Sequence, residues 1–396
     1  MMRHRALGSR VAAVAAAATT LVIIGVASGA TGGFVLPVVD SVGTAKFSSE
    51  GGATPQRTTR TIPYWGFQAT DPTNHTTYPV TMVGRDPAAR TSTTVPTLIV
   101  PIKLVFSAAG GYALDGASRV AATVSSPIFS EYGSYPAMTG GDVGQYGDVF
   151  MRAQFNAAGS GYHVKLGAPT VSPTVTINVP KNHGSVVQTR LGAVTGLADM
   201  AWFSSQLQSL MGQMHISSGT LPIFLSDNTV LYIGSTDNCC VIGYHGAGKI
   251  PGNGLGAVNS NGQSDINTYI YSAYTTPGTF GDSGVQDIHA LGHEVAEWLD
   301  DPFIDNAVNP WVTPTAPQYG CTTVLETGDP VVGIWYPLLG NPDPNPLAQG
   351  YWHPEDEVFW QWFLRQSPSS AFGGNYTLMG PYNPYPGFRQ PATGCN

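Results

Sequence analysis

Residues 283–302 read Ser283-Gly284-Val285-Gln286-Asp287-Ile288-His289-Ala290-Leu291-Gly292-His293-Glu294-Val295-Ala296-Glu297-Trp298-Leu299-Asp300-Asp301-Pro302, the densest run of ionisable groups in a chain that is only 11% charged. Ser283 followed by Gln286 has the form of a capping box, and Pro302 disfavours helical geometry at Asp301. The segment therefore predicts one helix of about four turns. Ile288, Leu291, Val295 and Leu299 recur at spacings of three and four, which makes an apolar stripe for a core. His289, His293 and Glu297 form a second stripe, neighbours lying about 6 Å apart along the axis. A metal ion can bridge one such pair.

In zinc hydrolases of the His-Glu-x-x-His type, two ligands four residues apart hold the ion, and the glutamate after the first takes a proton from water. His293-Glu294-Val295-Ala296-Glu297 keeps the first ligand, the base and the spacing, with a glutamate as second ligand. Carboxylate oxygen is an accepted zinc ligand, although its charge lowers the Lewis acidity of the ion. His289 with His293 is the rival pair, but it puts Glu294 beside the second ligand, where the base geometry fails. His293 with Glu297 is preferred, and His289 becomes a neighbouring or substrate-side group. The third ligand must come from elsewhere: Glu326 is the first candidate and Asp329 the second, both within Leu325-Glu326-Thr327-Gly328-Asp329-Pro330. His245 and His353 offer further imidazoles, which singly are more often structural.

Outward from the helix, the N-terminus has the layout of a secretory signal. Arg3, Arg5 and Arg10 precede an apolar run over 11–26 and small residues to Ala30, so residues 1–30 are read as a signal peptide. An uncleaved membrane anchor is the alternative. Residues 31–60 form a flexible leader, and residues 61–396 a single two-lobed domain, with a sheet lobe to about 302 and a loop-rich C-terminal lobe from about 303. The formal charge is −8, and loss of the three arginines would make it more negative, which argues against nucleic acid and anionic membrane surfaces. The low charge, with 48 Gly and 31 Pro, suits an extracellular protein with long ordered loops, and 42% hydrophobic residues suffice for a large core.

Thr97–Phe106 is a strong strand pattern in which Pro101 demands an edge or a bulge. Strands are also expected at 174–179, 222–225, 229–233 and 266–273, and a helix over 197–214 with Phe203, Leu207, Leu210 and Met214 on one face. This order predicts an α+β fold, a mixed twisted sheet with helices packed on it. Cys239 and Cys240 are adjacent, a spacing that is hard to bridge, so each is expected to pair separately, one with Cys321 and one with Cys395. Asp148 and Arg152 read as an ion pair on a short helix, and Trp360, Trp362 and Phe363 as one inward helix face. Trp335, Tyr336, Tyr351 and Trp352 could line a groove for sugars or peptides, but such density is more often core.

Taken together, His293-Glu294-Val295-Ala296-Glu297 with Asp301-Pro302, Glu326-x-x-Asp329 and Cys240-Val241-Ile242-Gly243-Tyr244-His245 resembles the plant phosphate-induced, EXORDIUM-like secreted proteins and related bacterial secreted proteins. The segment Gln145-Tyr146-Gly147-Asp148-Val149-Phe150-x-Arg152 and the run Phe359–Ser369 extend the likeness to the bacterial members, over about residues 95–380. The family's cysteine after Glu-x-x-Asp is missing, and Cys321 stands before it instead. The resemblance implies a secreted, zincin-like fold with an altered metal motif. The residues point to a zinc-dependent hydrolase, a peptidase first, acting on peptide or cell-wall material, with Zn²⁺ at His293, Glu297 and Glu326 or Asp329 and Glu294 as base. The alternative is a non-catalytic cell-wall protein keeping a structural ion, and a Ca²⁺ site at Glu326 and Asp329 is a third possibility.

Overall fold

The computed structural model describes residues 62–133, 135, 142–248, 266–281, 284–313, 321–369, 375–378, 391–392 and 394–395. The signal, the leader and Ser283 lie outside the described residues. Within them, no helix is long and apolar enough to cross a membrane. In chain order the strands are β1 Tyr64–Thr70, β2 Thr77–Val83, β3 Ser92–Val95, β4 Thr97–Phe106, β5 Tyr112–Asp115, β6 His163–Leu166, β7 Thr170–Val171, β8 Val175–Val179, β9 Gly184–Gln188 and β10 Val194–Asp199. They continue with β11 Leu221–Asp227, β12 Thr229–Tyr232, β13 Cys239–Val241, β14 Gly243–Gly248, β15 Asn267–Tyr274, β16 Ala307–Val312, β17 Cys321–Val324, β18 Leu338–Leu339 and β19 Tyr351–Trp352. The helices are α1 Val120–Ser125, α2 Tyr146–Gln154, α3 Met200–Gln213, α4 His289–Asp300 and α5 Trp360–Phe363. The fold is mixed α+β, dominated by strands.

The main sheet runs β14-β15-β11-β4-β5, with β7 and β8 also paired to β4. Strands β15, β11 and β4 are parallel, and β14 is an antiparallel edge. Its two faces are both covered, as a parallel centre requires. Leu221, Ile223 and Leu225 of β11 join the core that holds Ile288, at the cap of α4, and Leu291, Val295 and Leu299 of the helix. Phe224, one residue out of phase, faces Phe203, Leu207 and Met211 of α3 in the second core. A period of two in β11 thus sorts helix α4 to one face and α3 to the other. The C-terminal stretch shares the first core, where Trp311 packs on Trp362 and Phe363 with ring centroids 5.8 and 5.2 Å apart. Trp360, Trp362, Phe363, Tyr336 and Trp352 are all buried there, the place that aromatics at such density usually take.

Four expectations are corrected. Pro101 lies in a central strand, where an amide donor is normally needed. Here the partners change on both sides: β11 pairs β4 up to Pro101, β7 up to Ile99, and β8 and β5 begin beyond it at Ile102 and Lys103. The missing donor falls at that junction, so neither edge nor bulge is required. Helix α3 begins at Met200, because residues 197–199 belong to β10 and Asp199 caps the helix by accepting from the Trp202 amide at 2.8 Å. Helix α4 begins at His289, not 283. Asp287 takes φ +47° and bridges to Thr275, which breaks any earlier turn, while the predicted stop holds with Asp301 at φ −140°. Finally, the disulfides are Cys239–Cys240 and Cys321–Cys395. Cys240 and Cys239 sit on β13 in the sheet ordered β13-β12-β10-β9, whereas Cys321 begins β17 in a hairpin with β16, so separate pairing would have to join different parts of the fold.

Candidate metal centre

Helix α4 is packed against β14, β15 and α2, and every one of its residues is buried. A helix enclosed on all sides would ordinarily be apolar all round. This one carries His289, His293, Glu294 and Glu297 inward at 0–4% exposure. Neighbouring segments bring further groups: β14 supplies His245, the loop after β17 supplies Glu326 and Asp329, and residues 353–357 supply His353, Glu355 and Glu357, all at most 2% exposed.

Two triads have ligand atoms within 4.8 Å of one another: His293, Glu297 and Asp329, and His245, Glu294 and Glu297. In the first, His293 Nε2 is 3.1 Å from Glu297 Oε1 and 3.8 Å from Asp329 Oδ1. A tetrahedral ion with bonds of about 2.0–2.2 Å holds its donors about 3.3–3.6 Å apart, so these separations bracket that spacing. The fit shows also in what is missing. His293 Nε2 and both Asp329 oxygens are buried without an aligned hydrogen bond, although such atoms normally find a partner, while Glu297 Oε1 accepts from the Gly328 amide at 3.2 Å.

The orientation of His293 is fixed from behind. Its Nδ1 lies 3.1 Å from Glu355 Oε2, and Glu355 Oε1 accepts from the Gly333 amide at 3.1 Å. Burial would raise the Glu355 carboxyl, but His289 and His293 outweigh it and hold it below the ordinary range. An ionised carboxylate can only accept, so Nδ1 carries a proton. Burial would lower the ring, but Glu297 and Glu355 hold it well above its ordinary value, so Nε2 is protonated as well and gives up that proton when an ion binds. The close approach rests on two glycines. A Cβ on Gly328 would collide with the His293 ring, and one on Gly243 would stand 2.7 Å from Glu294 Cγ and Oε1.

Electrostatically the centre is crowded with carboxyl groups. Among the described residues no Lys or Arg ion pair reaches Glu294, Glu297, Glu326 or Asp329. Burial, then repulsion from Glu297, pushes the carboxyls of Glu326 and Asp329 well above the usual range. Burial likewise carries Glu294 up to about 7 against the pull of His245 and His293. Glu297 goes the other way, because His293 and His245 overcome burial and hold it low. His245, which burial alone would lower, is lifted to about 10 by Glu294 and Glu297.

The structure therefore brings His293, Glu297 and Asp329 into one set with Glu294 beside them, and places His245 in the adjoining set. Glu326, the first candidate for third ligand, lies outside both sets, and neither of its buried oxygens has an aligned hydrogen bond. His289 turns away to Glu355, its Nε2 2.9 Å from Oε2. His353 is tied to Asp287 at 2.7 Å. The acidic run Glu355-Asp356-Glu357 went unread in the sequence, yet three adjacent acids in so charge-poor a chain, beside His353, were the available signal. Asp148 and Arg152 do pair, at 3.3 Å, but inside the protein, where Asp148 also accepts from Val164 N at 2.9 Å. Compared with known proteins, the chain matches no family model, no curated protein and no solved structure.

Proposed function

We propose that this protein is a secreted metal-dependent hydrolase, a zinc peptidase in the first instance, in which His293, Glu297 and Asp329 hold the ion and Glu294 is the base. The observation that supports it is the buried set of His293 Nε2, Glu297 and Asp329 at separations suited to a shared ion, with both Asp329 oxygens lacking an aligned hydrogen bond. One imidazole with carboxylates is a donor set that suits Zn²⁺ better than Ca²⁺, which takes oxygen ligands. When bound, Zn²⁺ would polarise a carbonyl and make water nucleophilic at neutral pH. Glu294 lies beside this set, its carboxyl close enough to feel the charge of His293 and to raise that of Asp329. It takes a proton as the water oxygen attacks the carbonyl carbon, and returns it to the amine as the C–N bond breaks. Glu355 holds the His293 ring and its tautomer.

A zincin-like arrangement, in line with the phosphate-induced secreted proteins whose motifs the sequence shares, is the finer reading of the fold. It is supported by the antiparallel edge strand β14 beside the helix that carries His293 and Glu297. Export is supported by two disulfides with no free cysteine among the described residues. A second reading has its own observation: every candidate ligand is at most 4% exposed, which suits a structural ion in a non-catalytic extracellular protein. Elemental analysis and cleavage of a denatured protein substrate separate the two. Zinc retained by both wild type and E294Q, with cleavage by wild type alone, is the expected result. Zinc in both with cleavage by neither selects the structural ion, and equal cleavage by E294Q overturns the base assignment.

A further inference from the structure

Glu297 offers one carboxylate oxygen to each of two groups. Oε1 faces His293 Nε2, while Oε2 lies 3.6 Å from His245 Nδ1. His245 Nδ1 is in turn 3.4 Å from Glu294 Oε2, so the three form a triad with the same spacing as the first. His245 comes from a different element, the edge strand β14, and is 1% exposed, yet neither of its ring nitrogens has an aligned hydrogen bond. Glu294 Oε2 and Glu297 Oε2 are equally without one. A buried imidazole set between two buried carboxylates at 3.4 and 3.6 Å, with no aligned hydrogen bond on either side, is a donor set spaced for an ion between them. Gly243, two residues earlier on β14, is what lets the strand come so close to Glu294.

We infer that His245, Glu294 and Glu297 form a second divalent-cation site, bridged to the first through the two oxygens of Glu297. The inference deepens the proposed function and rests on it for the ion on the Oε1 side. One imidazole and two carboxylates again suit a borderline cation such as Zn²⁺. Occupation of this site engages Glu294, so the second ion withdraws the base and acts as an inhibitor.

Zn²⁺ titrated calorimetrically into metal-free wild type, H245Q and D329N, with circular dichroism to verify folding, tests it. Two ions in wild type and one in each variant are expected. One ion in wild type, with H245Q binding the same number, overturns the second site and leaves the first standing. No ion in wild type overturns the second site and the proposed function together. Should H245Q fail to fold, E294Q replaces it, and one ion is again expected, with two overturning the assignment of Glu294 as a ligand.

Discussion

Asp71 and Asp329 are both completely buried aspartates, and the protein treats them in opposite ways. Asp71 accepts from the Thr73 amide and hydroxyl and from Asn309 Nδ2, each at 2.6 Å, and from Arg365 Nη1 at 2.8 Å. Asp329 has no aligned hydrogen bond on either oxygen and stands among Glu297, Glu294 and Glu355. Burying an unpaired carboxylate costs several kcal/mol, on the order of what a whole domain can spare. The fold evidently knows how to satisfy such a group, since it does so at Asp71. If, as proposed, a cation from outside the chain satisfies the Asp329 cluster, the two regions should respond differently to metal.

The sharpest way to break the contrast is to remove the shared ligand. E297A should weaken Zn²⁺ binding by more than about 1000-fold, over about 4 kcal/mol, because both triads lose a donor. Calorimetric titration checks it, and binding as tight as wild type would mean the ion is held elsewhere. D71A should lower unfolding stability by about 3 kcal/mol, since it strands the Arg365 charge and the Asn309 amide. Urea denaturation should give the same loss with zinc or with a chelator. A loss present only in the zinc form would tie Asp71 to the centre and end the comparison.

Next in size is E355Q. An amide cannot act as the anionic acceptor of the His293 Nδ1 proton, so metal affinity should fall about 10- to 100-fold while the unfolding transition in chelator moves little. Smaller again is E326Q in the metal-free protein. Burial and then Glu297, Asp329 and Asp301 force Glu326 to hold its proton far above the ordinary range, which costs stability at neutral pH, and a permanently neutral amide removes that cost. Metal-free E326Q should be more stable than wild type by about 1 kcal/mol, opposite in sign to D71A. Destabilisation of that size would show Glu326 to be satisfied as it stands.

Much of this was legible from residue order alone. Pro302 marked the end of α4, strand β4 was readable over its full length, and the four-residue spacing brought His293 and Glu297 together. What could not be read was set by partners distant in sequence. Asp287 breaks the helix because Thr275, just after β15, is its bridge partner, and Pro101 is tolerated because four strands change places around it. Asp329, and not Glu326, falls within reach of His293 and Glu297 because of how the loop after β17 lies against the helix, where Gly328 leaves room for the His293 ring. His245 looked like one more histidine until pairing of β14 with β15 placed it over the helix.

The smallest effect lies on the Asp71 side. Burial by itself would raise its carboxyl, but the hydrogen bonds from Thr73 and then Arg365 outweigh this, so its value in the folded protein is below the ordinary one. A depressed carboxyl contributes stability that is complete above the unfolded value of about 3.9 and is lost as pH falls through the folded value. D71N has no carboxyl to titrate at that position and so lacks this contribution at every pH. The stability difference between wild type and D71N should therefore be constant from about pH 5 upward and shrink as the pH is taken below about 4. Urea denaturation of both proteins in chelator, at pH 6, 5 and 3.5, measures it with the metal centre silenced. A difference that grows towards acid would mean that Asp71 is protonated more readily in the folded chain, and the self-sufficient carboxylate would then be no better satisfied than Asp329.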